Sequence, residues 1–260
     1  MPEFWRGKHV IITGASSGIG SALALVVAAR GANVGLIARR AEPLQELATK
    51  LQATGASVAS QTADVTDSAG LTAAVHSLET TLGPCEVLIA NAGVYRKTSG
   101  AAYDAARAEQ VFRTNLIGVS NALGTVLPGM VSRKRGVVCA VSSLGGRLPL
   151  PAGGAYCASK AAIAMLMQSV RLDVEASGIQ VTTVFPGFVD TTMITDHERR
   201  TLRGLFTAPQ AAQRIAWAIE RGRREYAFPW SLWLEITVAS LLPWSVYRWV
   251  MKSVPPMEET

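Results

Sequence analysis

Tyr156 and Lys160 are four residues apart, a spacing that puts both side chains on one face of a helix. A free tyrosine has a pKa of about 10, so an isolated phenol is a weak acid at neutral pH. A nearby cation favours the phenolate and lowers that pKa. The pair therefore predicts a proton donor. Because an ordinary surface helix could carry the same pair, the elements that position it have to decide between the two interpretations.

A glycine-rich turn at residues 13–20 follows the first predicted strand and leads into an alanine-rich helix predicted to run to about Arg30. Glycine lets the backbone turn sharply and approach a pyrophosphate held at a helix N-terminus. A plain strand-to-helix turn also uses glycine, but the position after a first strand favours a dinucleotide site. The predicted cofactor contacts in this turn are Gly14, Ser16, Ser17, Gly18, Ile19 and Gly20.

The second predicted strand ends at Ala38 and is followed by Arg39 and Arg40. An NAD-specific fold usually carries an acidic residue here for the ribose 2′-hydroxyl. A guanidinium instead binds a 2′-phosphate, and Ser16 can add a hydrogen bond to it. Arg39 therefore predicts that NADP(H) is preferred over NAD(H), the alternative being that Arg39 only faces solvent.

Short β-branched runs alternate with helix-length segments along the chain. Such alternation predicts an α/β fold of the Rossmann type, a doubly wound parallel sheet of about seven strands with helices on both faces. Ligands bind beyond the carboxyl ends of the strands in such a sheet, where the polar motifs fall. The predicted strands are residues 10–13, 34–37, 57–60, 87–90, 136–141, 181–185 and 226–228.

The composition fits one domain without a metal site. Of the 260 residues, 49% are hydrophobic and 17% are charged, and no break in composition divides the chain. We expect a domain spanning residues 1–260, with a core at about 6–228 and an apolar helical tail at 229–254. Cys85, Cys139 and Cys157 lack metal-ligand spacing and suit a reducing cytoplasm; Cys157 could be reactive, but packing is favoured.

The net charge of +6 does not indicate nucleic-acid binding, because the basic clusters are dispersed and mostly flank predicted helix ends. The N-terminus lacks the apolar stretch and cleavage site of a signal peptide, so we expect no export.

Several motifs follow one another in a fixed order. They are Thr13-Gly14-x-x-x-Gly18-x-Gly20, Asn91-Ala92-Gly93, Asn115, Ser143, Tyr156-x-x-x-Lys160 and Pro186-Gly187. With them the sequence resembles the short-chain dehydrogenase/reductase family over about residues 6–228, in its compact single-domain branch. The set is specific, although any one motif alone is not.

The resemblance implies further cofactor contacts. Asp64 and Val65 would contact the adenine, although Asp64 could equally cap the helix that begins near Asp67. Residues after the fourth strand would line the cofactor, and residues after the sixth would lie beside the nicotinamide, where Val189 and Thr191 would hold the carboxamide. These are Asn91, Ala92, Gly93, Pro186, Gly187, Val189 and Thr191.

The resemblance also assigns catalytic roles. Tyr156 would protonate a carbonyl oxygen that Ser143 orients, while Lys160 would lower the Tyr156 pKa and bind the nicotinamide ribose. Asn115 would take part in a proton relay. Alternatively, Ser142 or Ser143 simply ends a strand and Asn115 satisfies buried backbone groups; the choice of Ser143 over Ser142 rests on the resemblance.

The last part of the chain distinguishes this sequence. Residues 193–206 predict a mobile helical flap over the substrate, and residues 229–254 predict two short amphipathic helices rich in tryptophan. Those helices could cover a lipid-like substrate, form an oligomer interface, rest on a membrane surface or pack in the core.

The sequence thus predicts an NADP(H)-dependent enzyme that interconverts a carbonyl and a secondary alcohol on an apolar, lipid-like small molecule. The resemblance adds a homodimer or homotetramer in the cytoplasm, with peripheral membrane contact through the tail as an option. The alternatives are a cofactor-binding redox sensor, or a membrane-associated interaction protein without turnover.

Overall fold

The computed structural model of the chain describes residues 3–202 and 204–252. The described residues form the following strands: β1 His9–Thr13, β2 Asn33–Ala38, β3 Val58–Thr62, β4 Val87–Ala90, β5 Gly136–Val141, β6 Ile179–Pro186, β7 Val189–Asp190, β8 Phe206–Thr207 and β9 Glu225–Phe228. The helices are α1 Gly18–Ala28, α2 Ala41–Gln52, α3 Ser68–Leu82, α4 Ala105–Phe112, α5 Gly118–Ser132, α6 Gly154–Val174, α7 Asp196–Thr201, α8 Ala208–Glu220, α9 Trp230–Ser240 and α10 Trp244–Met251.

Seven of the strands form one parallel sheet in the order β3-β2-β1-β4-β5-β6-β9. Alternate residues of each central strand enter opposite cores: in β1, Val10 and Ile12 pack with α1, α2 and α8, whereas Ile11 packs with α3, α5 and α6. Because both faces of the sheet are covered, the central strands are mostly apolar, and β4 and β5 are apolar throughout. The predicted doubly wound Rossmann-type fold is confirmed.

The chain reverses its direction of winding between β1 and β4, which are hydrogen-bonded neighbours. In a doubly wound sheet the ligand crevice lies at this point, beyond the carboxyl ends of the strands. The glycine turn follows β1, and Asn91 follows β4.

The flap contains the predicted helix, α7, and also an element that the sequence did not predict. β7 pairs with β8 in a small separate sheet, with Val189 opposite Phe206. This pairing closes the flap at its base. From there α8 begins with a capping box between Thr207 and Gln210.

The tail forms the two short helices that were predicted, α9 and α10, but it is not packed into the core. None of the residues of α9 is buried, and only Tyr247 of α10 is. Leu232 and Ile236 lie against Phe185 on their inner side. Core packing therefore accounts only for the inner side of α9 and for Tyr247, and it leaves the outward side of the tail unexplained. Among the described residues, no helix is long and apolar enough to cross a membrane.

Buried His9 leads to a testable pH dependence of stability. The side chain is 2% exposed, and its Nδ1 lies 2.6 Å from the carbonyl oxygen of Gly83. Burial lowers the pKa of His9 below its ordinary value. As the pH falls through the ordinary range, the unfolded chain therefore binds a proton that the folded chain does not. We expect the free energy of unfolding to fall by up to about 1.4 kcal/mol per pH unit below about pH 6.5.

The measurement is urea unfolding at about pH 7 and about pH 5, for the wild type and for His9→Asn. The asparagine keeps a donor for the Gly83 carbonyl but does not titrate, so the variant should lose less stability on acidification. Equal losses in the two proteins would show that His9 does not carry the effect.

Candidate active site

The glycine turn is shaped by contacts that a side chain would block. Gly14 and Gly18 have φ values of +67° and +55°, in the left-handed region that favours glycine. A Cβ on Gly14 would lie 2.7 Å from the Cα of Ala92, and one on Gly20 would clash with the carbonyl oxygen of Gly14. The backbone of the turn therefore packs closely against the start of α1 and against the segment after β4.

Asn91 holds this turn in place. Its Nδ2 donates to the carbonyl oxygen of Thr13 at 3.0 Å, and the Thr13 hydroxyl accepts from the backbone N–H groups of Asn91 and Ala92 at 3.1 and 3.2 Å. The motif that was predicted to line the cofactor thus also ties β4 to the glycine turn. A Cβ on Gly93 would lie 3.4 Å from both the Asn115 Oδ1 and the Lys160 Nζ, so Gly93 brings the backbone close to two predicted catalytic residues.

The N-terminus of α1 suits an anionic group. Ser17 is the N-cap residue, but its side chain makes no capping hydrogen bond. The first backbone N–H groups of the helix therefore do not bond to this side chain and can bind another acceptor. Ser16 precedes it in the turn, and Ile19 follows in the first turn of the helix and packs against the core. A cradle of glycines at a helix N-terminus fits the pyrophosphate of a dinucleotide.

Two arginines lie beyond β2 and have different partners. The Arg39 Nη1 lies 3.5 Å from the Asp64 Oδ2, with the Arg39 side chain 53% exposed. The Arg40 Nη2 lies 3.3 Å from the Ser16 Oγ. The sequence reasoning did not select Arg40 as a phosphate-binding residue, although its position next to Arg39 could have indicated this role. A ribose phosphate beyond β2 would meet the Arg40–Ser16 pair as well as Arg39.

Asp64 does not cap the following helix, so that alternative is wrong. Asp67 caps α3, because its side chain accepts from the backbone N–H of Gly70. Asp64 instead accepts from the N–H of Thr66 at 2.9 Å. Burial alone would raise the pKa of Asp64, but the Thr66 hydrogen bonds and the Arg39 charge outweigh it and leave the pKa lowered. Val65, beside it, is buried and packs under Gly118.

Tyr156 and Lys160 lie on α6, as their spacing predicted. The Lys160 Nζ is buried, donates to the carbonyl oxygen of Val141 at 2.9 Å and lies 5.7 Å from the centre of the Tyr156 ring. Burial lowers the pKa of Lys160 to about 8. Burial also raises the pKa of Tyr156, against a hydrogen bond with Ser143 that lowers it. The lowering that we expected from Lys160 is not seen in this arrangement, because burial raises the pKa of Tyr156 and keeps the phenol protonated.

The structure separates the two candidate serines. The Ser142 hydroxyl donates to the backbone oxygen of Lys160 at 2.8 Å and ties β5 to α6. The Ser143 hydroxyl accepts from the N–H of Gly145 at 3.0 Å and lies beside Tyr156: a Cβ on Gly145 would be 3.4 Å from the Ser143 Oγ and 3.5 Å from the Tyr156 Cε1. Ser143 is therefore the serine that shares the crevice with Tyr156, while Ser142 has the structural role.

Asn115 lies in a π-helical segment, Arg113–Ile117, between α4 and α5. Its Oδ1 accepts from the N–H of Val94 at 2.7 Å, and its Nδ2 donates to the Val94 oxygen and to the Ser159 Oγ, both at 3.0 Å. Asn115 thus satisfies buried backbone groups, which was the alternative to a relay. Single π-helical turns inside helices are frequent at functional sites.

The segment after β6 folds over the glycine turn. A Cβ on Gly18 would lie 3.0 Å from the Thr191 Cγ2, and Val189 is buried in β7. Pro186 ends β6, and Gly187 follows it against Leu232 of α9. Arg199 ties the flap down through Asp190 at 2.6 Å.

Tyr95 was missed by the sequence reasoning. Its ring meets that of Tyr156 edge to face, with 5.8 Å between the ring centres, and its hydroxyl lies 3.3 Å from the Ala152 oxygen. Nothing in the local sequence marks it, because the contact joins the segment after β4 to α6.

The profile of a protein family described as short chain dehydrogenase matches residues 8–201. An uncharacterized oxidoreductase of Myxococcus xanthus is 36% identical over 236 residues, which cover 91% of this chain and 93% of that protein. The ketoacyl reductase HetN of a Nostoc species is 30% identical and is matched over 84% of this chain and 77% of its own length.

The fold is shared with a solved structure. Levodione reductase superimposes with a TM-score of 0.79, covering 86% of this chain and 96% of its own, at 24% sequence identity. At this identity the likeness concerns the fold alone.

Proposed function

Because this chain belongs to the short-chain dehydrogenase/reductase family, we propose that it is an NADP(H)-dependent oxidoreductase that interconverts a carbonyl and a secondary alcohol. Members of the family are oxidoreductases that use NAD or NADP, act on small molecules and are generally oligomeric. The observation that carries the proposal is the placement of Ser143, Tyr156 and Lys160 together, at the crevice edge that the glycine turn also borders.

In this proposal a bound nicotinamide supplies a hydride to the carbonyl carbon. The Tyr156 hydroxyl donates its proton to the carbonyl oxygen, and the Ser143 hydroxyl hydrogen-bonds the same oxygen as negative charge develops there. The product is an alcohol, and the reverse sequence oxidises it. Burial keeps the Tyr156 phenol protonated, which supports carbonyl reduction at neutral pH.

Lys160 and Asn115 support this chemistry. When Tyr156 gives up its proton, the Lys160 ammonium stabilises the phenolate, and it also binds the nicotinamide ribose. Asn115 ties the segment after β4 to α6 through its hydrogen bond to Ser159. Its Oδ1 and the Lys160 Nζ lie on either side of Gly93, each 3.4 Å from the position that a Cβ would take there. We propose that Asn115 takes part in the proton relay that restores the Tyr156 proton in addition to its contacts with the Val94 backbone, because the two roles do not exclude each other.

The remaining cofactor contacts follow the crevice. Arg39, Arg40 and Ser16 would hold the 2′-phosphate, which gives the preference for NADP(H). Val65 and Asp64 would contact the adenine. The pyrophosphate would lie on the glycine turn, and the segment that crosses it would hold the carboxamide through Val189 and Thr191.

The substrate is proposed to be apolar and lipid-like, because the wall beyond Gly187 is made of Leu232 and Ile236 of α9 packed against Phe185. We further propose a homodimer or homotetramer. α6 exposes Met165 and Leu172, which are seven residues apart and share one helix face. Three free, buried cysteines suit a cytoplasmic location.

A redox sensor or an interaction protein without turnover is the alternative. Neither needs a protonated phenol beside a buried ammonium and a serine hydroxyl, and burying the Lys160 ammonium is costly for the fold. The arrangement is therefore better explained by catalysis.

The test is NADPH oxidation with a series of ketones graded by chain length. We expect kcat/KM to rise about fourfold per added methylene until the pocket is filled, because each buried methylene contributes about 0.8 kcal/mol. Ser143→Ala should lower kcat by about a hundredfold, whereas the matched control Ser142→Ala should keep kcat within a few-fold. A panel without any NADPH oxidation would favour the interaction protein instead.

A further inference from the structure

The last two helices expose an unusual amount of apolar surface. Trp230, Trp244 and Trp249 are 71%, 70% and 73% exposed. We call the outward surface of α9 and α10 the tryptophan face. Its exposed large apolar side chains are Trp230, Trp233, Leu234, Val238, Leu241, Trp244, Val246 and Trp249. Monomeric proteins rarely expose so large an apolar patch unless it binds another protein, a ligand or a membrane.

The charged residues of α10 are all basic, whereas α9 carries one exposed acid, Glu235. Trp244, Arg248 and Lys252 recur every four residues and therefore lie on one side of the helix, and Trp249 is exposed beside them. Residues 244–252 include no acidic side chain. Tryptophan rings with arginine and lysine on the same side are typical of helices that lie in the headgroup region of an anionic bilayer.

The inner sides of the same helices rest on the active-site walls. Leu232 contacts Gly187 and Ile236 packs near Phe185, both beside the segment that follows β6. The Tyr247 hydroxyl donates to the backbone oxygen of Pro149, in the loop that precedes α6 and Tyr156. A surface that covers the tryptophan face would therefore lie next to the mouth of the crevice.

We propose that the tryptophan face docks on the surface of an anionic lipid bilayer, so that an apolar substrate passes from the bilayer into the crevice. The second part of this statement rests on the proposed function, whereas the docking does not. The helices lie on the membrane and do not cross it, because among the described residues no helix is long and apolar enough for that.

A second copy of the chain is the less suitable occupant. A two-fold contact through α10 would bring the Arg248 and Lys252 side chains of two subunits together, with no acidic partner on that helix. α6 offers a separate apolar face for oligomer contacts through Met165 and Leu172. The basic charge of α10 is instead complementary to anionic headgroups.

The experiment is flotation of the purified full-length protein with vesicles of phosphatidylcholine alone, or of phosphatidylcholine with phosphatidylglycerol. We expect binding to the mixed vesicles, a loss of roughly tenfold in partitioning for Arg248→Glu, and a larger loss for Trp244→Ser combined with Trp249→Ser. Lys50→Glu reverses one exposed charge on α2, beside the opposite edge of the sheet, and should bind like the wild type.

Two outcomes would overturn the proposal. One is a wild type that stays unbound with both kinds of vesicle. The other is an oligomer, seen by light scattering, that the tryptophan variants convert to a smaller species, because the face would then be a subunit contact.

The docking and the proposed function can fail separately. The tryptophan variants should reduce a short, water-soluble ketone at the wild-type rate but lose activity toward a long-chain ketone presented in vesicles. A wild type that reduces neither ketone would contradict the proposed enzymatic function, whereas flotation would still test the docking.

Discussion

Replacing Tyr156 with phenylalanine is expected to lower kcat for NADPH-dependent carbonyl reduction by about three orders of magnitude, with NADPH binding retained. The substitution removes one hydroxyl and keeps the ring, so the edge-to-face contact with Tyr95 remains. The carbonyl oxygen then loses its nearest proton donor. Ser143 can orient the oxygen but is a far weaker acid, while the Lys160 ammonium donates to the Val141 oxygen and the Tyr95 hydroxyl lies against the Ala152 oxygen.

The measurement combines steady-state rates with titration of NADPH fluorescence. Tyr103→Phe is the matched control, because Tyr103 is 61% exposed and lies in the segment before α4. This control should react like the wild type. Turnover by Tyr156→Phe near the wild-type rate, with Tyr103→Phe unchanged, would remove Tyr156 from the mechanism.

The second large effect is expected at the two arginines beyond β2. The double substitution Arg39→Ala and Arg40→Ala should lower kcat/KM for NADPH by about a hundredfold or more and leave kcat/KM for NADH within a few-fold. Each guanidinium–phosphate hydrogen bond contributes about 1.5 to 3 kcal/mol to NADPH binding. NADH has no 2′-phosphate, so the substitution removes no such bond from it. In the wild type NADPH should be the better substrate.

The single variants separate the two arginines. Arg40→Ala should also release Ser16, whose hydroxyl Arg40 approaches, whereas Arg39→Ala should release Asp64 and return its pKa toward the ordinary value. Arg135→Ala, an exposed arginine just before β5 that is paired with Glu86, is the control. A wild type that prefers NADH, or a double variant that loses both cofactors equally, would contradict the assignment of the 2′-phosphate to this corner.

Much of the fold was accessible from the sequence because its causes are local. A strand covered on both faces is mostly apolar, so runs such as Val87–Ala90 mark central strands. Glycine at positions 14 and 18 follows from backbone angles that other residues rarely adopt. The four-residue spacing of Tyr156 and Lys160 already fixed their common face once α6 was a helix.

The candidate site depended on contacts between segments far apart in the chain. Ser142 and Ser143 are neighbours with the same chemistry, and only the packing of β5 against α6 decides that Ser143 meets Tyr156. The same holds for Arg40, whose partner Ser16 is 24 residues away. The sequence places such residues at the right edge of the sheet but does not say which neighbour a side chain meets.

What the sequence by itself determined is the doubly wound sheet, the family and the residues at its carboxyl edge, because periodicity, glycine geometry and helical spacing are properties of short segments. Only the tertiary structure decided which side chains are buried. Burial raises the Tyr156 pKa although a lysine lies nearby, whereas the tryptophan face of α9 and α10 stays outside the core. Both depend on how much protein surrounds a group, which is a sum over distant segments and not a property of the local sequence.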